Sequence, residues 1–145
     1  MKTKLLLVLA AAALVGADDP KADPVKDELK KFAGTWKLVA ANLDDQEKKP
    51  EEVKTGSLVV EGNTFTLKFN NEVHKGKFTI DPGKKPKTID VEFTEGSLKD
   101  SKVKGIYQID GDTRKSCFAE PGKDRPTDFD SGKGKYVWTW KADKP

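Results

Sequence analysis

Residues 57–69 read Ser57-Leu58-Val59-Val60-Glu61-Gly62-Asn63-Thr64-Phe65-Thr66-Leu67-Lys68-Phe69, and this stretch decides the fold class. Phe65, Leu67 and Phe69 alternate with Thr64, Thr66 and Lys68. A period of two places successive side chains on opposite faces, so the run predicts a strand with one buried and one wet face. Glu61-Gly62-Asn63 joins it to the strand before, because glycine supplies the positive φ that a tight hairpin requires.

The same period extends in both directions. Trp36, Leu38 and Ala40 alternate with Thr35, Lys37 and Val39. Ile89, Val91 and Phe93 alternate with Thr88, Asp90 and Glu92, and Tyr136, Trp138 and Trp140 with Val137, Thr139 and Lys141. Asp110-Gly111-Asp112 marks a second tight hairpin. Longer turns fall at Asp81 to Pro86 and Gly96 to Ser101, and the longest irregular piece runs from Glu120 to Lys133. Strands are predicted near 34–42, 56–61, 64–70, 72–80, 87–94, 103–109, 113–119 and 135–141. Short connections between them argue for an antiparallel meander, and no βαβ alternation suggests a parallel sheet. The expected fold is all-β: an up-and-down barrel of about eight strands, since closure removes exposed edges. A barrel of that size is filled by its own side chains or holds one small ligand.

Before the first strand the period is helical. Asp23-Pro24 reads as an N-cap followed by proline at the first helical position. Val25, Leu29 and Phe32 then recur at helical spacing. Asp27 and Glu28 near the start and Lys30 and Lys31 near the end suit the macrodipole, and Gly34 stops the helix.

The first 17 residues have the make-up of a cleavable secretory signal. Lys2 and Lys4 precede an apolar run from Leu5 to Val15, and Val15-Gly16-Ala17 offers small residues at the exit. The run falls short of the ~20 apolar residues that span a bilayer, and no later stretch is apolar enough, so no membrane span is expected after cleavage. The domain plan is a signal over 1–17, a flexible leader over 18–23, and one barrel domain over 24–145. Cleavage removes two lysines and no acids, which takes the formal charge from +3 to +1. The remaining charges are interspersed, so no nucleic-acid track is expected. The expected location is periplasmic or extracellular. Cys117 is the only cysteine and His74 the only histidine. Neither an internal disulfide nor a zinc site of the usual His/Cys type can be assembled from them. No cofactor and no metal is expected, and the protein is expected to be a monomer.

A family resemblance covers nearly all of the mature chain. A short helix running into Gly34-Thr35-Trp36 resembles the G-x-W opening of lipocalins. Further strings are Phe32 to Lys37, Lys85 to Asp90, Gly105-Ile106-Tyr107 with Asp110 to Thr113, Cys117-Phe118-Ala119, and Pro121 to Thr127. Together they resemble the lipocalin-like domain family common in exported planctomycete proteins. The resemblance implies fold and export, and no activity. It also implies that Trp36 plugs one barrel end under a basic side chain, for which Arg125 and Lys141 are the candidates. The chain departs from the family in carrying Arg114 and Ser116 where apolar residues are usual.

Alternation puts Arg114, Ser116 and Phe118 on one face of their strand. An inward Arg114 would suit a carboxylate or other anionic head. Burying an unpaired guanidinium costs several kcal/mol, roughly, which favours placing Arg114 at the mouth with its stem reaching water. His74 shares a face with Gly76, Phe78 and Ile80 and reads as a rim group. Tyr107 reads either as a ligand contact or as core with one hydrogen bond. Phe65, Leu67, Phe93, Trp138 and Trp140 read as cavity wall. Cys117 is either a buried apolar residue or, on the same face as Lys115, a reactive thiol. Asp124-Arg125-Pro126 suggests an ion pair within the long loop.

The expected function is binding of a small apolar or amphipathic molecule inside the barrel, oriented by Arg114, Ser116 or His74 at the mouth. The alternative is a filled barrel that binds an envelope protein or inhibits a partner through its loops. Catalysis ranks last, since one histidine and one cysteine set up no recognisable machinery. Volume separates the first two readings: a cavity well below ~300 Å³ would argue against a carrier.

Overall fold

A computed structural model describes residues 23–144. The signal read over 1–17 and nearly all of the leader lie outside the described residues. Helix α1 spans Pro24–Phe32, and the Asp23 carboxylate accepts from the Val25 and Lys26 amides at 3.1 Å each. Then follow β1 (Gly34–Leu43), β2 (Gln46–Glu47), the single-turn helix α2 (Pro50–Val53), β3 (Ser57–Glu61), β4 (Thr64–Phe69) and β5 (Glu72–Asp81). The chain continues through β6 (Lys87–Glu95), β7 (Lys102–Asp110), β8 (Thr113–Ala119) and β9 (Lys135–Ala142).

The eight long strands form one closed antiparallel barrel. Each of β3 to β8 pairs with the next in chain order, β1 pairs with β3, and β9 returns to pair with β1, while β2 adds a two-residue edge on β1. The all-β barrel with its short N-terminal helix is therefore the architecture that the alternation predicts. Among the described residues no helix is long and apolar enough to cross a membrane. The elements α2 and β2 have no counterpart in the sequence periodicity.

One face assignment is corrected. Strand β1 carries a bulge: Thr139 stands opposite Ala40 and Trp140 opposite Leu38, so Val39 has no partner on β9. The extra residue shifts the inward side by one, and Ala41 rather than Ala40 is buried. Bulges bend a strand and increase its twist, which suits a strand bonded to neighbours on both sides of a closing barrel.

The barrel interior divides into two halves. At the end where β1 begins, Phe32 of α1 covers Trp36, Phe78 and Tyr107, and the inward side chains are buried. The Trp36 indole donates to the Phe32 carbonyl at 2.8 Å. At the other end the inward residues Phe65, Leu67, Phe69, Phe93, Phe118 and Trp138 are only half-buried. Half-burial of inward aromatic residues means that they face unfilled space. The barrel is packed below and open above.

The Glu120–Lys133 connection covers the outside of β6 to β9 and is fastened by Arg125. Its guanidinium lies 2.7 Å from the Asp90 carboxylate and donates to the Ile89 and Gly105 carbonyls. The loop is thus tied to β6 and β7 by Arg125, and the pair expected with Asp124 gives way to one with Asp90. Beneath the loop, Phe129 packs on Ile106, Cys117 and Val137, a small second core on the barrel's outer face.

Candidate functional site

The open half of the barrel holds a cavity of about 370 Å³. Strands β3 to β9 and the end of β1 supply its wall. Each strand contributes every second residue, so the alternation that builds the sheet also builds the wall. Phe65, Leu67, Phe93, Trp138 and Trp140 all line it. Trp138 and Trp140 stack nearly parallel, with ring centroids 5.8 Å apart, and Phe69 meets Trp138 edge-on at 5.4 Å. Leu43, Phe69, Phe118 and Tyr136 also line it, and sequence reading missed them as wall. Phe69 and Tyr136 lie one alternation step from residues already read as wall, and Phe118 lies one step from Ser116. Leu98 reaches the cavity from the Gly96–Ser101 turn, where no periodicity could reveal it.

The polar groups fall at different depths. His74, near the start of β5, lies at the mouth beside Phe93, with ring centroids 6.1 Å apart. Its Nε2 is 3.2 Å from Glu72 Oε1, which also accepts from the Ser97 hydroxyl at 3.0 Å. Its Nδ1 is buried without a partner among the described residues. Ser116 is buried midway down the wall, where its neighbours across the sheet are Tyr107 and Trp138.

Arg114 is not at the mouth. It is the second residue of β8, at the closed end, only 6% exposed, with its guanidinium carbon 4.6 Å from the Phe32 ring centroid and 5.9 Å from that of Trp36. The basic group facing Trp36 is thus Arg114. Arg125 is engaged on the outer surface, and Lys141 is an exposed residue of β9. The stem of Arg114 is too short to carry the charge from the barrel floor to water. Its Nε and Nη1 are buried without a hydrogen-bond partner, and no carboxylate lies within ion-pair distance among the described residues. Burial lowers its pKa to about 10, which the nearby Tyr107 partly offsets, so the group stays cationic at neutral pH.

Tyr107 does not line the cavity. Its hydroxyl donates to Glu28 Oε2 at 2.9 Å beneath the barrel floor, and its ring meets Phe32 edge-on. Burial, reinforced by the hydrogen bond to Glu28, raises its pKa and keeps the phenol protonated. Glu28 is itself buried. Lys87 lies 2.8 Å from it and Lys31 3.1 Å. Burial pushes its carboxyl up, but hydrogen bonds from Lys87, Tyr107 and Lys31 outweigh this and hold it below the usual range. Glu28 therefore has its own partners and leaves Arg114 without a counter-charge among the described residues.

Cys117 points away from the cavity into the outer core and is 0% exposed. Burial pushes its thiol up, with Lys135 and then Lys115 only partly opposing, so proximity to Lys115 does not activate it. A maleimide is expected to label Cys117 in the native protein on the order of 100-fold more slowly than in urea, because reaction must wait for local opening. Equal rates would show that the Glu120–Lys133 cover is not in place.

The fold and cavity together define a one-ended apolar calyx on an eight-stranded barrel. In comparisons with known proteins, the chain matches no family model, no curated protein and no solved structure.

Proposed function

We propose that this is an exported lipocalin-like binding protein that holds one small apolar or amphipathic molecule in its calyx, without catalysis. The observation that carries the reading is the cavity of about 370 Å³, walled by stacked and edge-on aromatic rings and open at one end. Such a volume sits within the range of pockets that take single small ligands, and a filled barrel would lack it. Binding is driven by moving the ligand's apolar surface out of water against Phe65, Leu67, Phe93, Trp138 and Trp140. Loop Glu120–Lys133 lies flat under Arg125, which suits a cover better than a free recognition arm. Export rests on the basic and apolar make-up of residues 1–17.

The test is native purification of the mature protein from its own compartment, followed by mass spectrometry of whatever co-purifies and by titrations read on tryptophan fluorescence. A bound apolar molecule, quenching of the Trp138–Trp140 pair, and a mature chain beginning at Asp18 are expected. An empty protein whose fluorescence no apolar compound alters would remove the carrier reading. A mature chain still beginning at Met1 would remove export.

A further inference from the structure

We infer that the ligand of this calyx is a singly charged amphipathic anion, an apolar monocarboxylate, bound head-down with its carboxylate on Arg114 at the closed end. The inference rests on the calyx reading above and deepens it.

Among the described residues that line the cavity, Arg114 alone carries a fixed charge. It stands at the bottom of the cavity, is nine-tenths buried, and presents two donor nitrogens that nothing among the described residues accepts from. The faces of Phe32 and Trp36 lie close to it and offset part of its burial. Aromatic faces offset part of the lost hydration but accept no directed N–H bond. A buried guanidinium left in that condition is unfavourable, and a carboxylate is the group whose planar oxygens complete it. The nearest buried carboxylate, Glu28, already holds Lys87, Lys31 and Tyr107.

The rest of the wall fixes charge number and orientation. One cation balances one anion, and a doubly charged head would leave a negative charge buried among phenyl and indole rings. Ser116 lies one step up the same face and offers a further hydroxyl near the head. Above it the lining is mainly apolar, and its other polar side chains are His74, Ser101 and Tyr136. The strand from Arg114 to Phe118 runs about 13 Å, so a medium-length chain seated on Arg114 would end near the rim.

The experiment uses the full mature protein and three matched probes: decanoate, decanol and methyl decanoate, with affinities from calorimetry. Decanoate should bind roughly 10–100-fold more tightly than either neutral probe. In Arg114→Met that preference should collapse to near unity while decanol affinity holds. If all three bind the wild type equally, the calyx stands and the role of Arg114 is overturned. If none binds, the calyx reading itself fails. Should Arg114→Met not fold, decanoate labelled with ¹³C at the carboxyl gives a second readout in the wild type. The bound carboxyl should titrate below its free value, since a guanidinium stabilises the anion. A bound carboxyl that titrates at or above its free value overturns the proposal.

Discussion

Glu28→Ala is expected to lower the stability of the protein by about 2–4 kcal/mol, and its midpoint of thermal unfolding by roughly 10 °C. The effect comes from what is left behind. Tyr107, 1% exposed, would lose the acceptor for its hydroxyl, and a buried hydroxyl without a partner costs about 1–3 kcal/mol. Lys87 would lose a charged hydrogen bond but can turn to water, since it is only partly buried, and Lys31 on the surface contributes little. Glu28 also pins α1 over the barrel floor, so truncation loosens Phe32 and uncovers Arg114. Glu28→Gln keeps an acceptor and should recover about half of the loss.

The same contacts have a pH signature. The Glu28 carboxyl titrates lower in the folded protein than in the unfolded chain. Its contribution is therefore complete above the unfolded value and disappears as the pH falls through the depressed folded value. Chemical unfolding of wild type and Glu28→Gln at neutral and acid pH checks this. The gap between them should narrow on acidification, and a gap that widens would contradict the assigned contacts.

Ser116→Phe is expected to abolish ligand binding, with affinity for decanoate falling on the order of 100-fold, while the barrel stays folded. Position 116 points into the cavity between Arg114 and Phe118, with Tyr107 and Trp138 across the sheet. A ring placed there fills space that the ligand would occupy. Ser116 is itself buried, so seating the ring displaces its neighbours, and stability should fall by about 1–3 kcal/mol. Calorimetry and a urea melt on the same preparation separate the two effects. Undiminished binding would put the ligand outside the barrel.

Much of this architecture is legible in alternation alone. The runs at Phe65-Leu67, Ile89-Val91-Phe93 and Trp138-Trp140 specify which side chains face inward, because a strand has only two faces. Where the reading goes astray, it does so at features without a periodic signature. Val39 forms a bulge with neither glycine nor proline to mark it. The depth of Arg114 is set by the strand's place in the barrel, which tells mouth from floor, and alternation reports only the face. The energetic cost of burying a guanidinium points toward water, and it misleads here because two aromatic rings take up part of that cost. Partners distant in sequence are also invisible beforehand. Asp90 lies 35 positions from Arg125, and Glu28 79 from Tyr107.

Closure by β9 against β1 sets the order in which this molecule can be finished. Every other contact between neighbouring long strands joins segments that follow one another closely along the chain. The seam from Tyr136 against Leu43 to Ala142 against Trp36 instead joins the two ends of the domain, and the Asp143 amide meets the Thr35 carbonyl at 2.8 Å. Until residues 135–142 arrive, β1 and β8 each present a bare hydrogen-bonding edge, beside a trough lined with aromatic rings. Non-local pairing of this kind is slow, and open edges invite pairing between chains. Until that last strand pairs, the folding chain carries the open trough, which makes the interval before closure its most aggregation-prone moment.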